Sequence, residues 1–282
     1  MTRSDPHAQA KRNARPVGVF DSGIGGLTVA AAIRSRLPNE KIVYIGDTAR
    51  VPYGGKSRET VERYGVEIGG LLMTENAKVI VVACNTASAL AVPRMREVFK
   101  TPVIEVIGPG AEAAIARTRN GRIGVIGTRA TMSSQAYEHA IRRLNPDAQV
   151  FSAACPLLVP LIEEGMFDDA ITDQVLMRYL RPLLEEGIDT LVLGCTHYPL
   201  IGPAIARAVG DQVALVDSAA NCALAVKSLF DQEALGAPAA QSGRLDVSFT
   251  DTTEGFLRLA EKSLGLDIGH VRLRVVQPEP AS

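Results

Sequence analysis

Residues 81–90 read VVACNTASAL and residues 191–200 read LVLGCTHYPL. In each, an aliphatic run ends in a cysteine and a threonine follows within two positions. Short aliphatic runs without polar alternation are typical of strands covered on both faces, as in parallel sheets. The pattern recurs along the chain, predicting strands at Val17–Phe20, Ile42–Gly46, Val79–Ala83, Val103–Ile107, Ile123–Ile126, Val150–Ala153, Leu191–Gly194 and Val213–Val216. Helices are predicted between them at Leu27–Leu37, Glu59–Met73, Tyr137–Leu144 and Ile171–Leu184. In the last, Ile171, Val175, Leu176, Tyr179 and Leu183 fall at helical spacing. Strands alternating with helices define an α/β protein with mostly parallel sheets.

The 282 residues suffice for one large domain or two ordinary ones, and 46% hydrophobic content without tryptophan implies aliphatic cores. A formal charge of −1 points to neither nucleic acid nor an anionic membrane as partner. No apolar stretch approaches the roughly 18–20 residues of a membrane span. Residues 1–16, MTRSDPHAQAKRNARP, lack the apolar core of a signal peptide and read as a disordered tail. Cys84, Cys155, Cys195 and Cys222 lie far apart with no CxxC pair, which argues against a metal site and a redox dithiol. Free thiols without a secretion signal suit the reducing cytoplasm.

VGVFDSGIGGLTV at 17–29 echoes IGVIGTRATMSSQ at 123–135 with an offset of 106, and the two cysteine motifs are offset by 111. This suggests two related α/β halves, although generic α/β sequences also look alike. Pro109 and Gly110 interrupt the pattern near 106–114, and a second break falls near 216–224. Beyond it, Leu245–Asp251, Glu254–Leu264 and Val271–Val276 read as strand, helix and strand.

Ligands of open α/β sheets bind beyond the carboxyl ends of the strands, where helix starts present N–H groups. Asp21 and Ser22 follow the first strand, Cys84, Asn85 and Thr86 the third, and Cys195, Thr196 and His197 the seventh. A cysteine ending an apolar strand is ordinarily core, and Cys155 and Cys222 read so. Asn-Thr and Thr-His are unusual company for a core. A thiol is a serviceable proton-transfer group, because its ordinary pKa of about 8.5 lies within reach of neutrality. One such thiol beside a histidine would suit a hydrolase. Two at matching strand ends suit opposite faces of one bound molecule. FDSGIGGLTV resembles a Gly-rich anion-cradling turn but is neither GxGxxG nor a P-loop.

GVFDSGIGGLTV, YIGDTARVPYGGKS, VVACNTASA, VIGPG, GVIGTRATMSS, CPLLVPLIEEG and LVLGCTHYPL, in this order from Val17 to about Phe230, together resemble the cofactor-independent glutamate racemases of the two-cysteine aspartate/glutamate racemase family. The resemblance implies two similar α/β domains, 17–108 with 217–282 and 109–216, and an active site in the cleft between them. It implies inversion of glutamate without cofactor or metal, yielding D-glutamate for peptidoglycan synthesis. Cys84 and Cys195 are then the catalytic bases, Cys84 for the D-isomer and Cys195 for the L-isomer, assisted by Asp21, His197 and Glu163. Contacts to substrate map onto Asp21, Ser22, Tyr53, Gly54, Asn85, Thr86, Thr196 and His197, with Thr128 and Thr131 as further candidates. Glutamate is the expected partner, without nucleic acid or membrane, and association into a homodimer is left open. An aspartate racemase, a cysteine hydrolase and a non-enzymatic binding module stay as alternatives, separable by substrate and by loss of each thiol.

Overall fold

The computed structural model describes residues 6–251 and 271–276. Ten strands are described: β1 (Val17–Asp21), β2 (Lys41–Gly46), β3 (Val79–Val82), β4 (Val103–Glu105), β5 (Arg122–Gly127), β6 (Gln149–Ala154), β7 (Thr190–Gly194), β8 (Ala214–Asp217), β9 (Arg244–Phe249) and β10 (Arg272–Leu273). They form two sheets, β10-β9-β2-β1-β3-β4 and β6-β5-β7-β8, and every pairing is parallel.

Side chains alternate across each strand, so each sheet feeds two cores. In the first, Val17, Val19, Val79 and Val81 meet Leu27 and Ile33 of helix Leu27–Arg36 and Val226 and Phe230 of helix Ser218–Glu233. Their neighbours Phe20, Ile80 and Val82 turn the other way onto Val61, Ile68 and Leu72 of helix Arg58–Thr74. The second sheet repeats the plan, Leu191 and Leu193 facing Leu176 and Leu180, and Val125 and Val192 facing Ala111 and Ile141. Each such aliphatic side chain, fully buried, contributes about 1.5–3 kcal/mol.

The strand orders explain the sequence echo. β2-β1-β3-β4 and β6-β5-β7-β8 are one topology used twice, with the chain reversing direction across the sheet between its first and third strands. That reversal opens a crevice at the carboxyl ends of β1 and β3, and of β5 and β7. Cys84 and Cys195 follow the third strand of each set.

Four sequence expectations are amended. Pro6–Asn13 is a helix where a disordered tail was expected. Polar bonds hold it, which composition does not reveal: Asn13 Nδ2 donates to Ala234 O (2.8 Å), and Lys78 Nζ donates to Asn13 O (2.6 Å). Lys78 is itself buried against Glu40 at 2.7 Å. The expected strand Val103–Ile107 stops at Glu105, whose carboxylate accepts from Ile107 N and Gly108 N and so caps helix Ile107–Arg117. Pro109 does not interrupt that helix, because the first turn needs no intrahelical N–H donor. The last strand is confined to Arg272–Leu273, and the predicted helix Glu254–Leu264 lies outside the described residues.

Candidate active site

Parallel strands deliver both cysteines to a common cavity. Cys84 follows β3 and caps helix Asn85–Leu90, and Cys195 follows β7. Both line a cavity of about 30 Å³ with Ser22, Tyr53, Gly54, Asn85, Thr86, Thr128, Thr196 and His197. Val51, Pro52 and Val159 complete its wall. Ordinary ligand pockets measure roughly 300 Å³ or more, so the two halves lie close together around this one. Among the described lining residues there is no lysine or arginine.

The two thiols have different surroundings. The Cys84 thiol donates to Ser22 Oγ at 3.5 Å. Burial, reinforced by the nearby Asp21 carboxylate, pushes the Cys84 thiol up to about 12, so it rests protonated. Cys195 Sγ lies 3.9 Å from His197 Nδ1, and His197 Nε2 lies 3.2 Å from Glu163 Oε1. The second contact is an ion-pair distance without hydrogen-bond alignment. Burial disfavours the imidazolium, but the Cys195 sulfur and the Glu163 carboxylate outweigh it and raise His197 to about 10. These two neighbours thus favour a proton on His197, beside Cys195.

Asp21, to which the resemblance gives an assisting role, lies near the Cys84 thiol but makes its hydrogen bonds to other groups. Its Oδ2 accepts from Gly23 N (3.0 Å) and Gly26 N (3.1 Å), and its Oδ1 accepts from Thr196 Oγ1 (3.4 Å). Burial raises its pKa, against the opposing pull of His197 and these donors. Asp21 thus ties the first half to the second, and Ser22 is the residue that touches Cys84. Tyr53 lines the cavity, but its hydroxyl donates to Asp47, which leaves the ring and backbone to face the site. Thr86, Thr128 and Thr131 form a triangle of hydroxyls with oxygens 2.9–3.2 Å apart, again spanning the halves. Gly54 is needed for that approach, because a Cβ there would come within 2.6 Å of Thr128 Cβ. Cys155 and Cys222 are packed into separate cores.

The sequence reading missed Tyr137, whose hydroxyl donates to Asn85 Oδ1 at 2.6 Å. It stands at the start of an ordinary amphipathic helix, where nothing in the local sequence marks it.

Two thiols thus share one cavity, each at the same place in a repeated fold. The chain belongs to the Asp/Glu/Hydantoin racemase family, whose model matches residues 27–226. A glutamate racemase of Geobacter metallireducens is 48% identical over 257 residues, 91% of this chain and 95% of that protein. A solved glutamate racemase isoform from Bacillus anthracis superposes with a TM-score of 0.88 at 39% identity, covering 94% of this chain and 98% of that one. The Francisella tularensis glutamate racemase, solved in complex with D-glutamate, superposes with a TM-score of 0.87 at 37% identity, with the same coverage.

The charge on His197 gives a pH prediction. Its pKa is raised above the ordinary 6.5, so its contribution to stability is complete below that pH and is lost as pH rises through about 10. Glu163→Gln removes one of the two groups that hold the proton. The alkaline limb of the pH–rate profile should then move toward neutrality by about one to three pH units. An unmoved limb would separate Glu163 from the proton on His197.

Proposed function

We propose that the chain interconverts L- and D-glutamate by a two-base thiol mechanism without a cofactor. Cys195 takes the α-proton of the L-isomer: the C–H bond breaks, an S–H bond forms, and the electron pair stays on carbon and its carboxylate. Cys84 then gives its proton to the opposite face, and the D-isomer reacts in reverse. The observation that carries this reading is the shared cavity with its two unlike thiols, Cys84 donating to Ser22 Oγ and Cys195 set beside the His197 ring.

The α-proton of an amino acid is hard to remove, so charge developing on the carboxylate must be met by donors fixed in place. Asn85, Ser22 and the threonine triangle are such donors, and closure of the halves excludes water. We divide the chain at 17–108 with 217–282 and at 109–216, one sheet in each part, with residues from both in the site. All four cysteines are free thiols, which suits a reducing cytoplasm, where D-glutamate would feed peptidoglycan synthesis.

The test is incubation of the purified protein with L-glutamate in D₂O without added cofactor. Loss of optical rotation together with deuterium at the α-carbon is the expected result, with aspartate reacting far more slowly. Rotation unchanged and no deuterium uptake would overturn the reading.

A further inference from the structure

Asn85 belongs to the first half of the site and Tyr137 to the second, and both are buried. The Tyr137 hydroxyl donates to Asn85 Oδ1 at 2.6 Å. Asn85 lines the cavity, and its Nδ2 is buried without a hydrogen-bond partner. A primary amide can rotate to exchange its oxygen and nitrogen with little change in shape. Rotated the other way, Asn85 would show an acceptor to an incoming carboxylate and repel it. Burial raises the Tyr137 phenol well above its ordinary value, so it stays a donor and holds the amide oxygen to itself. Two glycines give the ring its place: a Cβ on Gly194 would come within 3.1 Å of it, and one on Gly110 within 3.2 Å.

We propose that Tyr137 is a positioning residue that turns the Asn85 carboxamide donor-first toward the carboxylate of the substrate, and does so only when the two halves close. This rests on the glutamate racemase reading. Closure thereby finishes the binding site in addition to sealing it. When the halves part, the phenol and the amide separate and the donor loses its fixed direction.

Tyr137→Phe keeps the ring and removes only the hydroxyl. It should raise KM for L- and D-glutamate alike by roughly ten- to a hundredfold, the worth of a misdirected hydrogen bond to a charged group. The kcat should fall as well, because Asn85 also meets the charge that develops on the carboxylate, whereas the pH profile should stay near wild type, since neither thiol is touched. The decisive readout is a double-mutant cycle. In an Asn85→Ala background, the further change Tyr137→Phe should alter KM less than twofold, because there is no amide left to orient. An unchanged KM in the single variant would overturn the inference, as would a full effect persisting without Asn85. Either result would leave the racemase reading intact, provided the wild type labels glutamate in D₂O. Failure of that labelling would remove the reading itself, and the inference with it.

Discussion

Cys84→Ala and Cys195→Ala should each lose racemisation by about 10³-fold or more while remaining folded, the upper part of the range for removing a general acid or base. Each variant should still do half of the chemistry. With Cys84 gone, Cys195 can take the α-proton of L-glutamate and, once its thiol has exchanged with D₂O, return a deuteron to the same face. L-glutamate then becomes labelled with its configuration retained, and D-glutamate stays unlabelled. Cys195→Ala should show the mirror pattern. A hydrolase that used Cys195 with His197 would tolerate loss of Cys84, so the paired result also separates that alternative. Wild-type racemisation in either variant, or labelling of both enantiomers by one of them, would end the two-base assignment. The unlike surroundings of the thiols add a further expectation for the wild type. Cys84 is raised to about 12 and rests protonated, so the resting enzyme is set to return a proton from that side.

β1, β2, β3, β5 and β7 were legible because each is an aliphatic run buried on both faces, so the signal needs no knowledge of the partner strand. The cysteines were legible because a thiol followed by Asn-Thr or Thr-His is a poor core sequence. The helix Pro6–Asn13 was hidden, because it is held by carbonyl oxygens and one buried lysine, which no periodicity reports. Tyr137 was hidden for a related reason. Its role depends on where Asn85, 52 residues away in sequence, arrives after folding. Asp21 shows the limit in another form: its assisting role came from the resemblance, and no spacing in the sequence reports that the loop gives the thiol contact to Ser22 and a hydrogen bond from Thr196 to Asp21.

Gly25→Ala should reduce kcat/KM by about 10²-fold with little loss of stability. Gly25 lies in the turn after β1, and a Cβ there would stand 2.5 Å from Thr196 Oγ1 and 2.8 Å from His197 Nδ1. Neither neighbour can yield easily: Thr196 is β-branched and bonded to Asp21, and His197 is held between Cys195 and Glu163. The relief available is for the two halves to close less far. Each half keeps its own sheet and cores, so the stability cost should stay below the roughly 1–3 kcal/mol of an overpacked core contact. The site does not survive so cheaply, because a misplacement of about 1 Å between reacting groups is worth on the order of 10² in rate. Gly55→Ala is the matched control, since a Cβ there meets nothing within 4 Å, and it should behave as wild type. If Gly25→Ala were fully active, closure to the observed contact would not be needed for turnover. If it lost stability in proportion to activity, Gly25 would serve the fold instead. Activity lost with the melting temperature nearly kept is the outcome that ties catalysis to the meeting of the two halves.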